Sequence, residues 1–180
     1  MRGAGDLLGD AQAGHMKLIG VDLYQHLLAG ALKTAAGETV DLWTPELSLG
    51  VDSHLPEDWI AEPELRIDLH ARIARATSVD AIDALVEEIE DRFGTPPEAA
   101  RQAFAAGRIR QMARAARIAR VDAGPAAVAL TPRRDFAGDV AAAGLVEKGD
   151  RLLRKTATAD ADARLALVVE VLEALIPDEG

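Results

Sequence analysis

Cysteine is absent from the 180 residues, which excludes disulfide staples, thiolate zinc sites and cysteine nucleophiles. Aromatic side chains are scarce, with three Phe, two Trp and one Tyr. Positive charge is also in deficit: 20 Lys and Arg face 30 Asp and Glu, for a formal net charge of −10. That balance argues against a protein whose whole surface grips nucleic acid, though not against a local basic patch. No apolar run approaches the roughly 20 residues of a membrane-spanning helix, and the N-terminus does not read as a signal peptide. The expectation is a soluble cytoplasmic protein without membrane contact.

What is present is alanine, 36 residues of it, within an apolar fraction of 49%. A core of Ala, Leu, Ile and Val suits closely packed helices better than a large β-sandwich. The length fits one domain with an added arm, able to bury about 70% of its unfolded surface. Arginine outnumbers lysine 16 to 4, which codon bias in a GC-rich genome explains.

The chain opens on a turn too rich in glycine for a helix interior, Arg2-Gly3-Ala4-Gly5-Asp6-Leu7-Leu8-Gly9. A helix follows from His15, with Leu18, Val21, Leu28 and Leu32 on its stripe and Gly37 as terminator. No element precedes this elaborate turn, so the opening reads as a cut made inside a longer protein. Residues 39–60 alternate polar and apolar around Pro45, predicting an extended strap or edge strands.

Three helices are then predicted in quick succession. Pro63 opens the first, with Leu65, Leu69 and Ile73 at helical spacing. Thr77/Ser78 starts the second, with Asp80 completing a weak capping box and Ile82, Leu85, Val86, Ile89 and Phe93 on its apolar face. Thr95-Pro96-Pro97-Glu98 reads as the cap and first turn of the third, which runs to about Ala119. Val121 to Thr131 reads as a hairpin turning at Gly124-Pro125. A short helix over about 134–144, a strand at Arg151–Lys155 and a last helix capped near Thr158–Asp160 complete the pattern. The fold class is α+β: mostly helical with a small antiparallel sheet, plus an N-terminal turn-helix arm.

Few motifs carry chemistry. Gly3-Ala4-Gly5 lacks the preceding strand and third glycine of a dinucleotide fingerprint, and no Gly-Lys-Ser/Thr exists anywhere. His15, His26, His54 and His70 are dispersed; Asp22 and His26 lie four apart, but two ligands seldom make a metal site alone. No catalytic site is predicted.

Charge is more informative. Residues 98–120 hold six arginines against Glu98 alone, and Arg110, Arg114 and Arg117 recur at i, i+4, i+7 as one basic helical face. The bland reading is a helix that neutralises acidic neighbours; the sharper one is a free-standing adaptor binding protein or nucleic acid through helix 98–120. Glu88, Asp91 and Arg92 share another face at i, i+3, i+4. A complementary charged partner would fit there, or a self-satisfied, solvated ion pair.

The run from Arg2 through Gln12 to His15 resembles the closing motif of RecG-like DNA translocases. Ile19-Gly20-Val21-Asp22-Leu23-Tyr24 narrows the resemblance to the transcription-repair coupling factors. It continues through Gly50-Val51-Asp52, Leu55-Pro56-Glu57-Asp58-Trp59-Ile60, Leu65-Arg66-Ile67 and Asp91-Arg92-Phe93-Gly94 to Ala123-Gly124-Pro125. Residues 132–160 match only loosely.

The resemblance implies that residues 1–38 end the second helicase lobe and that 39–180 are the C-terminal regulatory domain. In such a family the whole protein uses ATP and Mg to move on double-stranded DNA, pushes against stalled RNA polymerase and recruits UvrA for nucleotide excision repair. This part would need no cofactor and would not be an enzyme. Arg2 and Gln12 match positions coupling ATP hydrolysis to translocation. Glu88, Asp91 and Arg92 match positions that contact the N-terminal UvrB-like module and so hide its UvrA-binding surface.

Overall fold

Ser78 fixes the start of the most regular helix: its hydroxyl accepts from the Ala81 amide at 3.1 Å, satisfying one of the orphan donors of the first turn. In the computed structural model, which describes residues 43–176, that helix is the second of four. The order is β1 (Glu46–Ser48), α1 (Pro63–Arg75), α2 (Val79–Phe93), α3 (Glu98–Ala115), β2 (Ile118–Ala123), β3 (Ala127–Pro132), β4 (Val146–Lys148), β5 (Arg151–Lys155) and α4 (Ala161–Leu175). The class is α+β. The N-terminal arm, with Arg2, Gln12, His15 and His26, lies outside the described residues.

The sheet runs β1-β2-β3-β5-β4. Its β2–β3 hairpin turns where Gly124-Pro125 predicts, with Val121 opposite Leu130. It is not wholly antiparallel, because β1 pairs parallel to β2, Leu47 opposite Val121. The parallel edge follows from the long crossover through three helices that separates β1 from β2.

Two apolar clusters make the core. Leu55, Ile60, Leu69, Ile73, Ile82, Leu85, Ile89 and Phe104 gather where the 54–60 strap, α1, α2 and the first half of α3 meet. Ile109, Met112, Val121, Val128, Leu130, Leu152, Val168 and Leu172 gather between α3, α4 and the sheet. α3 serves both clusters, which is why it is buried on more than one face and shows little amphipathic stripe. Each such aliphatic side chain contributes roughly 1.5–3 kcal/mol on burial.

Two predicted elements are corrected. α3 ends at Ala115 rather than Ala119, because Arg117 turns the chain through φ 59° and releases Ile118 into β2. Its start is Glu98 with Pro97 at the cap and no side-chain cap from Thr95. The helix expected over 134–144 is a series of turns, in which the Asp139 carboxylate accepts from the Ala141 and Ala142 amides and Gly144 adopts φ 66°. The three-residue strand β4 follows directly.

Candidate functional site

The exposed side of α2 carries the mixed-sign cluster. Its inner side is fixed by Ile82, Leu85 and Ile89 in the core, so Glu88, Asp91 and Arg92 come out exposed together near the helix end. That end is held firmly. The Gly94 amide donates to the Glu90 carbonyl at 2.8 Å, with Gly94 at φ 77°, a conformation that suits glycine. Trp59, from the strap, donates its indole N–H to the Phe93 carbonyl at 3.0 Å and meets the Phe93 and Phe104 rings edge-on at 6.2 and 6.4 Å. One of the carbonyls orphaned at the helix terminus thereby finds a partner from 34 residues upstream.

Within the cluster the pairing differs from a local helix pair. Glu88 is gripped by Arg72 of α1, whose two terminal nitrogens reach its two carboxylate oxygens at 2.8 and 2.5 Å. This is the bidentate fork that guanidinium and carboxylate geometry favours. The hydrogen bond from Arg72, more than the charge of Arg92, holds the Glu88 carboxyl below its ordinary pKa, and raises that of Arg72 in turn. Arg92 lies over the Phe93 ring, 5.1 Å from its centroid, a cation–π contact. Asp91 has no hydrogen bond or ion pair among the described residues. The face thus offers a clamped carboxylate, an unpaired carboxylate and a guanidinium propped on a ring. Arg72 was not legible in the sequence, because the contact crosses helices and depends on their packing.

The basic helical face does not survive. Arg117 lies beyond the end of α3 in the left-handed conformation, so Arg110, Arg114 and Arg117 do not share a helical face. Arg108 is spent on Asp83 of α2 at 2.5 Å, Arg117 lies 3.6 Å from Asp135, and Arg120 on β2 binds Asp122 and Glu46. Arg110 is partly buried, and burial lowers its pKa. The segment mostly neutralises acidic neighbours.

The two described histidines, His54 and His70, lie apart from any metal-binding cluster. His54 pairs with Asp52 at 3.1 Å; burial, then the nearby charges of His54 and Arg66, lowers the pKa of His70. Among the described residues no three His, Asp or Glu are placed to hold a metal ion. None of their helices is long and apolar enough to cross a membrane.

Fold and face together define a class: a small α+β domain built on a mixed five-stranded sheet, presenting a charged helical face. The TRCF domain family matches residues 49–141, and the chain belongs to that family, found in the transcription-repair coupling factors. Its relatives include the factor of Mycobacterium bovis, 40% identical over 145 residues that cover 73% of this chain and 12% of that protein. That of Bacillus subtilis is 28% identical over 157 residues, covering 86% and 13%. The chain therefore spans about an eighth of the length of the curated relatives it matches. A crystal structure of the C-terminal domain of a transcription-repair coupling factor superposes with a TM-score of 0.62 at 18% identity, over 77% of this chain and 97% of that one. That likeness extends the fold assignment beyond the family match.

Proposed function

We propose that this chain is the non-catalytic regulatory end of a DNA translocase acting in transcription-coupled nucleotide excision repair. Its task is to dock on the UvrB-like module of the same protein and mask the surface that UvrA binds. The observation that carries this reading is the face of α2. Asp91 is exposed and has no partner among the described residues, and Arg92 lies over the Phe93 ring. Charges left available on a rigidly anchored helix are suited to a complementary partner, where they set specificity and register. Glu88, held by Arg72, presents its outer edge in a fixed place.

The parent protein would bind double-stranded DNA and RNA polymerase and would hold ATP and Mg in its motor lobes. The sequence has no Gly-Lys-Ser/Thr loop, and among the described residues no three His, Asp or Glu are placed to hold a metal ion; no step is therefore routed through these cofactors in this chain. Arg2 and Gln12 remain the proposed coupling positions of the translocation motif. Localisation would be cytoplasmic.

The test is binding in trans. The 180-residue chain, titrated into the separately produced UvrB-like module, should form a one-to-one complex whose affinity falls with salt. Asp91→Ala and Arg92→Ala should each weaken it. A complex indifferent to both changes would contradict the assignment of the face.

A further inference from the structure

The strap Leu55-Pro56-Glu57-Asp58-Trp59-Ile60 is pinned on both sides of its tryptophan. Before it, the His54 amide donates to the Ala99 carbonyl of α3 at 3.3 Å, and Leu55 is buried. The Trp59 and Ile60 amides both donate to the Pro56 carbonyl, at 3.2 and 3.0 Å, closing a turn. After it, Ile60 is fully buried, and Arg66 of α1 donates through Nη1 to the Ile60 and Ala61 carbonyls at 2.6 and 2.9 Å. The backbone that carries Trp59 is therefore fixed by α1 and α3, and its side chain is spent on α2.

Three contacts in series lead from the strap to the docking face. The indole N–H donates to the carbonyl of Phe93, the last residue of α2, at 3.0 Å. The indole also meets the Phe93 ring edge-on at 6.2 Å and is backed at 6.4 Å by Phe104, which is buried in the core. Phe93 in turn carries the Arg92 guanidinium, 5.1 Å from its ring centroid. Arg92 is exposed and has no hydrogen bond or ion pair among the described residues, so the ring is what limits its rotamers. Docking must remove the freedom of a long side chain, and one already resting on a ring has less to lose. Burial alone does not explain an indole at position 59. The side chain is only half-buried, a phenylalanine would supply the ring, and what the indole adds is a donor for the terminal turn of α2. We propose that Trp59 is a positioning residue of the α2 face, acting through Phe93 to hold Arg92 in the orientation that docking uses. This rests on the docking role of that face and adds that part of its specificity resides outside α2, on the strap.

The experiment is a double-mutant cycle in the full-length parent, reading UvrA affinity in the absence of RNA polymerase. Where docking masks the UvrA surface, weaker docking is read as tighter UvrA binding. Arg92→Ala should raise UvrA affinity. Trp59→Phe, which keeps a ring and removes the N–H, should raise it about threefold. In the Arg92→Ala background it should add little, because residues that act through one another are not additive. Phe93→Leu, apolar but without a ring under the guanidinium, should behave in the same way. A second readout does not depend on docking: in the 180-residue chain the Phe93 ring should shift the Arg92 side-chain protons upfield in NMR spectra, and Trp59→Phe should move them downfield. An equal effect of Trp59→Phe with and without Arg92, or Arg92 shifts that do not move, would assign Trp59 to the general stability of the domain. Either result would overturn the proposal and leave the docking role of the face in place. Arg92→Ala without effect on UvrA affinity would remove that role, and the proposal with it. Should Trp59→Phe fail to fold, the cycle between Phe93→Leu and Arg92→Ala decides, and additive effects there would overturn the proposal.

Discussion

At the residue scale, Glu88 owes its titration to one neighbour. With its folded pKa lowered chiefly by the Arg72 hydrogen bond, the ion pair favours folding above the ordinary glutamate pKa. That contribution is lost as pH falls through the lowered value. In Arg72→Ala the Glu88 carboxyl should titrate close to its ordinary value, which side-chain carbon NMR would register; an unmoved titration would mean that Arg72 is not the cause. Gly107 makes a second residue-level case. Glycine inside an exposed helix normally gives way to alanine with a gain of roughly 1 kcal/mol. Here an added Cβ would meet Ile73 Cγ2 at 2.9 Å and Ile82 Cδ1 at 3.2 Å, where α3 crosses the other helices. Overpacking of that kind costs typically 1–3 kcal/mol. Gly107→Ala should therefore lower the melting temperature by a few degrees, and a rise would show that the helices yield easily.

At the scale of elements, what could be read in advance follows the strength of local signals. α2 and α4 were legible because an apolar stripe and a capping side chain coincide: Ser78 for α2, and for α4 Asp160, whose carboxylate accepts from the Ala163 amide at 2.7 Å. The hairpin was legible from Gly124-Pro125. The end of α3 was not, because Ala115-Ala116-Arg117-Ile118-Ala119 is good helix sequence and the left-handed turn at Arg117 is imposed by pairing with the segment after β3. β1 and β4, three residues each, exist only through their partners, Leu47 beside Val121 and Glu147 beside Leu152. Capping chemistry also distinguishes neighbours the sequence left joined. Ser78→Ala should destabilise by about 1 kcal/mol, while Thr77→Ala, lacking the cap, should be close to neutral. Equal losses in thermal melts would contradict the observed cap.

On the whole-molecule scale, helical spacing alone brought Glu88, Asp91 and Arg92 to one face. Their support by Arg72, Phe93 and Trp59 comes from packing that no local pattern encodes. The same packing explains why the arginines of 98–120 do not form the surface their spacing suggests, since Arg108, Arg117 and Arg120 are drawn to Asp83, Asp135 and Asp122. Exposed ion pairs contribute little to stability, so removing the α2 cluster should leave the fold intact and act only on docking. The most direct measurement is made in the full-length parent. Glu88→Ala, Asp91→Ala and Arg92→Ala together are compared with the unaltered protein for UvrA binding in the absence of RNA polymerase, beside a thermal melt of the 180-residue chain carrying the same changes. The predicted result is UvrA affinity raised by about tenfold or more with a nearly unchanged melt; unchanged UvrA affinity with the domain still folded would contradict the masking role.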